Sequence, residues 1–241
     1  MPGATTPERP RQQRRWHLYP SVRDLEAHAV AAVTRAASQA IAARGRFSIV
    51  LAGGDTPRRL YRALAGVDAD WTRWHVYFGD ERCLPPGDAD RNDTMARKAW
   101  LDRVTVPPAQ CHAVPAELGP EEGAARYARL LAGVEEFDLV LLGLGEDGHT
   151  ASLFPGSYLG DATEAPAALA VRDAPKPPPE RVSLSARRLS ASRQVLFIVS
   201  GAAKARAVKS WAGGGAVPAA AIAPPDGVDI LIDPDAWPWK P

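Results

Sequence analysis

The stretch Phe47-Ser48-Ile49-Val50-Leu51-Ala52-Gly53-Gly54-Asp55-Thr56-Pro57 passes from an apolar, β-branched run through paired glycines into a helix-start signature. Phe47–Ala52 reads as a buried strand, because unbroken apolarity over so few residues suits a strand covered on both faces. The glycines permit turns and close backbone approaches that a Cβ forbids. Thr56 offers a side-chain cap and Pro57 suits a first helical position, so a short helix is expected over Pro57–Ala65. A buried strand feeding a helix through such a turn is the building unit of a parallel, helix-covered sheet.

Working outward, Ser21–Arg44 places Leu25, Ala29, Val33, Ala36 and Ala40 at helical spacing, with Ser21 as N-cap and Gly45 as the stop. Downstream, Trp74–Phe78 reads as a core strand, followed by the polar loop Gly79–Asp90, a helix near Asn92–Leu101, a second over Glu121–Ala132, and the strand Phe137–Gly143. Shorter strands, Leu169–Arg172 and Arg181–Ser185, flank the stiff loop Pro175–Glu180. Then come strand Gln194–Ser200, helix Ala202–Trp211 and strand Val228–Ile232. The alternation predicts an α/β class fold, a mostly parallel Rossmann-like sheet with helices on both faces that binds ligands at the strands' C-terminal ends. A single α/β catalytic domain is expected over residues 16–241, preceded by an Arg-rich, frayed tail at 1–15.

Charge narrows the function classes. Lys+Arg number 29 and Asp+Glu 28, a net charge of +1, so the broad basic surface of a general nucleic-acid binder is missing and any anion must be held locally. Only five residues are lysine, which makes each one more informative than an arginine here. Cys83 and Cys111 are too few for a disulfide framework and lack zinc-ligand spacing, as suits a reducing, cytoplasmic setting. No apolar run approaches the ~18 residues of a membrane span.

Four segments carry groups suited to chemistry. Gly53-Gly54-Asp55-Thr56-Pro57 is either an ordinary capped turn or a phosphate site, since free N–H groups and the helix dipole attract anions there. Asp55 weakens the phosphate reading, because a carboxylate there repels an anion unless it points outward. Gly79-Asp80-Glu81-Arg82 is either a solvated loop or, at a strand end, a place where Arg82 grips a phosphate or carboxylate. Gly143-Leu144-Gly145-Glu146-Asp147-Gly148-His149-Thr150 matches the dinucleotide glycine spacing, but two acids inside the turn and Pro155 soon after exclude a nicotinamide or flavin site. What it does offer is a histidine beside a carboxylate, a pair suited to proton transfer near neutral pH. Lys204, in the first turn of an expected helix, opposes the helix dipole unless an anion sits near it. Arg181, at the start of a short strand, is individually weak.

In this order, the four segments resemble the 6-phosphogluconolactonase family, and the resemblance covers nearly the whole chain after about residue 16. Gly143–Pro155, reading GLGEDGHTASLFP, is its most specific part, supported by Gly53-Gly54-x-Thr56-Pro57, Gly79-Asp80-Glu81-Arg82 with Asn92, Arg181-x-Ser183 and Gly201-x-x-Lys204. The resemblance implies a fold shared with glucosamine-6-phosphate deaminases and ribose-5-phosphate isomerases. It implies metal-independent and cofactor-independent hydrolysis of a sugar-phosphate lactone, with His149 as general base and Asp147 orienting it. The phosphate would rest on Gly53, Gly54, Thr56, Arg82 and Lys204, with Arg181 assisting. The expected partner is a small molecule, neither nucleic acid nor membrane, and the expected state a monomer or weak homo-oligomer. Two alternatives stand beside it. An amino-sugar phosphate isomerase or deaminase would carry a glutamate five residues after the histidine, where this chain has Phe154. A non-catalytic sugar-phosphate sensor would need an added DNA-binding domain, for which 241 residues leave no room.

Overall fold

The computed structural model describes residues 12–239. In chain order the strands are β1 (Arg14–Leu18), β2 (Phe47–Leu51), β3 (Trp74–Phe78), β4 (Asp80–Arg82), β5 (Cys111–His112), β6 (Leu139–Leu142), β7 (Ala168–Val171), β8 (Arg181–Leu184), β9 (Val195–Val199) and β10 (Val228–Ile232). The α-helices are α1 (Val22–Arg44), α2 (Asp55–Leu64), α3 (Asn92–Ala99), α4 (Pro120–Leu130), α5 (Ala186–Ser190) and α6 (Ala205–Ala212).

Seven strands form one sheet in the order β1-β10-β9-β6-β2-β3-β5, with every pairing parallel. Every residue of β2, β6 and β9 is buried. Neighbouring side chains point to opposite faces, so both faces of the sheet centre are covered. From β2 the chain steps outward to β3 and β5, then returns to place β6 on the other side of β2. The sheet therefore reverses its winding between β2 and β6, and the crevice beyond their C-terminal ends is where open α/β sheets bind ligands. The loops leaving those two strands are Ala52–Gly54 and Gly143–Thr150.

Local chemistry explains the main elements. The Ser21 hydroxyl accepts the Asp24 N–H at 3.1 Å to start α1, and Gly45, at φ 72°, ends it by donating its N–H to Ile41 O at 2.8 Å. Leu25, Ala29, Val33, Ala36 and Ala40 form the buried stripe between them. The helix after the glycine turn begins earlier than expected, at Asp55, with Gly54 as its N-cap and no side-chain cap bond. Thr56 thus lies in the first turn and does not cap it. Gly54 adopts φ 102°, which no capping threonine tolerates well, and backbone geometry overrides the cap preference.

Three further differences come from tertiary pairing. The expected frayed tail divides: residues 1–11 lie outside the described residues, whereas Arg14 and Arg15 belong to β1, paired in register with Val228 and Asp229. Gly79–Asp90 is not wholly a loop, because its start is β4, and Asp80 and Glu81 are buried there. Strand β4 joins β8 and β7 in a separate antiparallel sheet, order β4-β8-β7, in which Arg82 pairs with Arg181 and Asp80 with Ser183. The helix expected over Ala202–Trp211 opens with a 3₁₀ turn, Ala202–Lys204, which leaves Lys204 just before α6. Among the described residues, no helix is long and apolar enough to cross a membrane.

Candidate active site

The crevice predicted by the winding reversal holds a cleft of about 290 Å³. Gly53, Gly54, Arg82, His149, Arg181 and Lys204 all line it, so residues spread over more than 150 positions of sequence meet at one sheet end. Asp147 stands immediately behind His149. Thr56 is absent from the lining, and Asp55 faces away: its side chain is 78% exposed and paired with Arg58 at 2.6 Å. The carboxylate that weakened the phosphate reading is therefore directed to solvent.

The histidine loop is built to hold one ring. Gly145 N donates to His149 O at 2.7 Å, Gly148 N to Gly145 O at 3.0 Å, and Thr150 Oγ1 to Gly143 O at 2.9 Å. A Cβ on Gly145 would stand 2.0 Å from His149 Nδ1, so only glycine lets the imidazole lie across this turn. His149 Nδ1 and Asp147 Oδ1 are 2.5 Å apart, and the same oxygen accepts the His149 backbone N–H at 3.1 Å. Burial opposes ionisation of Asp147, but these bonds from His149 outweigh it and hold the carboxyl below its ordinary value. An ionised Asp147 only accepts hydrogen bonds, so the ring proton belongs on Nδ1 and the Nε2 lone pair is free. Phe154 backs the ring, its centroid 4.8 Å away.

A second network fixes the cleft floor. Asp80 accepts Asn92 Nδ2 at 3.1 Å and Ser152 Oγ at 2.6 Å, linking β4, α3 and the histidine loop. Gly53 allows this approach, since a Cβ there would meet Asn92 Oδ1 at 2.1 Å. The Glu81 carboxylate accepts the N–H groups of Arg82, Asn92 and Asp93 at 2.7–2.8 Å, so it anchors the start of α3 and never enters the cleft. Burial nevertheless pushes its pKa up to about 7. Ala151, which also lines the cleft, has φ 46°, a strained conformation for a residue other than glycine.

The cations of the cleft are unequally satisfied. Arg82 and Arg181 face each other across β4 and β8, a pairing of like charges that Asp80 and Glu81 partly offset at Arg181. Arg82 donates to Asp90 O, but its Nε is buried with no partner among the described residues. Burial lowers the pKa of Lys204, Glu146 partly restores it, and Lys176 lowers it further. Lys176 and Pro177 also line the cleft. Lys176, Ser152 and the floor role of Asp80 carry no local sequence signal, apart from the scarcity of lysine that singles out the first. A larger cavity of about 600 Å³ lies on the other side of Phe154, but its lining holds neither His149 nor a lysine. Among the described residues, no group of three or more His, Cys, Asp or Glu side chains is placed to hold a metal ion.

Known proteins resemble this chain in sequence and in fold. The family described as glucosamine-6-phosphate isomerases/6-phosphogluconolactonase matches residues 20–231. A 6-phosphogluconolactonase of Mycobacterium leprae is 40% identical over 214 residues, covering 82% of this chain and 86% of its own. One from Streptomyces coelicolor is 41% identical over 207 residues, covering 77% and 79%. The solved 6-phosphogluconolactonase of Thermotoga maritima superposes with a TM-score of 0.84 at 25% identity, over 92% of this chain and all of that one. A monomeric glucosamine-6-phosphate deaminase has the same fold, with a TM-score of 0.79 at 20% identity over 92% of this chain and 98% of its own. By the match over residues 20–231 and the identity to these relatives, the chain belongs to the glucosamine-6-phosphate isomerase/6-phosphogluconolactonase family.

Proposed function

We propose that the protein hydrolyses 6-phospho-D-glucono-1,5-lactone to 6-phospho-D-gluconate, a step of the oxidative pentose phosphate pathway, with His149 as general base. The observation that carries this reading is the His149–Asp147 pair, 2.5 Å apart, in a cleft also lined by Arg82, Arg181, Lys176 and Lys204. His149 Nε2 takes a proton from water as the water oxygen bonds to the lactone carbonyl carbon. The tetrahedral intermediate then collapses, the ring C–O bond breaks, and the imidazolium returns its proton to the departing ring oxygen. Asp147 holds the ring and stabilises its transient charge. A δ-lactone is an activated ester, so this route needs no covalent enzyme nucleophile.

The phosphate lies away from the reacting carbon and supplies binding energy that positions it. Gly53, Gly54, Arg82 and Lys204 are assigned to hold it, with Arg181 beside them. Thr56 keeps only a supporting place at the start of α2. The family's deaminase branch is disfavoured because Phe154, 3% exposed, occupies the place of the ring-opening glutamate and packs on the histidine. The protein is read as a monomer or weak homo-oligomer. The free thiols of Cys83 and Cys111 fit a cytoplasmic enzyme. A pH-stat assay on freshly generated lactone tests the reading: acid release above the spontaneous rate supports it, and a rate equal to the spontaneous one refutes it.

A further inference from the structure

Arg181 lines the cleft, yet its guanidinium is largely engaged elsewhere. Nε donates to Pro178 O at 3.0 Å, while Nη2 donates to Lys176 O at 2.8 Å and to Pro177 O at 3.3 Å. Nη1 points to Ser152 Oγ at 3.5 Å. The side chain therefore ties three successive carbonyls of the proline-rich loop between β7 and β8. A buried arginine is retained at a desolvation cost, which bonds of this kind offset.

The loop it ties presents Lys176. That side chain is exposed, lines the cleft and makes no hydrogen bond or ion pair within the described residues. Lys204, half-buried and from the far end of the chain, likewise lines the cleft without a hydrogen bond or ion pair among the described residues, and is close enough for the two charges to interact. Glu146 and Asp147 offset Lys204 only from beyond ion-pair distance. Two unpaired lysines converging on one cleft are mutually repulsive when it is empty. A phosphate monoester, with a charge of about −1.5 to −2 at neutral pH, removes that repulsion.

We propose that Lys176 is a substrate-recognition residue that grips the phosphate together with Lys204, and that Arg181 is a positioning residue that sets the Lys176 loop. The inference rests on the lactonase reading, which it deepens. The chemistry recognised is a phosphate dianion on a small polyhydroxy acid or lactone.

Calorimetric binding of 6-phosphogluconate and steady-state turnover of phosphorylated and unphosphorylated gluconolactone, measured on one set of variants, test it. Lys176→Ala is an exposed change that leaves folding intact. It should weaken 6-phosphogluconate binding and raise KM for the phosphorylated lactone about tenfold, as expected for losing a charge-assisted bond. The unphosphorylated reaction should lose less, so that discrimination between the two lactones falls, and Lys176→Arg should restore most of the loss. Arg181→Lys keeps the charge but cannot span three carbonyls, so it should lose similar selectivity alone and none further in the Lys176→Ala background. Unchanged binding and selectivity in Lys176→Ala overturn the role of Lys176. Losses that multiply in the double variant overturn the positioning role and make Arg181 a direct phosphate ligand. Wild-type phosphate binding without turnover would instead overturn the lactonase reading, while the Lys176→Ala titration still decides this one.

Discussion

Replacing Gly145 with alanine adds one methyl group at the most constrained point of the active site. That methyl would stand 2.0 Å from His149 Nδ1, 2.3 Å from Cε1 and 2.6 Å from Cγ, where ordinary contact begins at 3.4 Å. Gly145 does not have a positive φ, so the backbone accepts alanine and the ring must move. Phe154 blocks one direction and the 2.5 Å bond to Asp147 resists another. Going from 2.0 Å to 3.4 Å makes the imidazole retreat by about 1.4 Å, and a misplacement of about 1 Å can already lower kcat by about 10²-fold. Because the loop is at the surface and the ring can swing outward, the melting temperature should change little. Gly133→Ala, where the added methyl meets nothing within 4 Å, controls for the generic effect of the substitution. Stopped-flow lactone hydrolysis with parallel thermal melts reads both quantities. A folded Gly145→Ala protein with wild-type kcat would refute either the ring's position or its role as base.

Three further outcomes are expected. Asp55→Ala should leave kcat/KM within about twofold and stability within about 0.5 kcal/mol, because its ion pair with Arg58 is exposed; a large loss of phosphate selectivity would place this carboxylate in the site. Glu81 has a folded pKa near 7 against an ordinary 4.5, so its contribution to stability is full below pH 4.5 and fades as pH rises through 7. The stability gap between wild type and Glu81→Gln should therefore narrow over that window in urea titrations, and a gap independent of pH would contradict the burial argument. Incubation with glucosamine 6-phosphate should release no ammonia, since Phe154 replaces the acid needed for ring opening; release detected by a coupled assay would revive the deaminase.

Much of this architecture can be read from local pattern. The strands Trp74–Phe78 and Val228–Ile232 and the helix ending at Gly45 follow directly from apolar runs and end signals, because burial and capping are local effects. Strand β1 escapes such reading because Arg14 and Arg15 form it by pairing with β10, more than 200 positions away. Strand β4 escapes it because Asp80, Glu81 and Arg82 look solvated in sequence, while their burial depends on β8 and on the N–H groups of α3. The site divides the same way. His149 and Asp147 sit two residues apart and announce themselves, whereas Lys176 reaches the cleft only through the course of a loop whose carbonyls Arg181 binds.

The central claim is that His149 is the base for lactone hydrolysis, and the turnover of His149→Ala on freshly generated 6-phosphoglucono-δ-lactone tests it most directly. With the spontaneous rate subtracted and binding of 6-phosphogluconate retained, kcat should fall by about 10²–10⁴-fold, the range for loss of a general acid–base group. Turnover within a few fold of wild type would contradict the account.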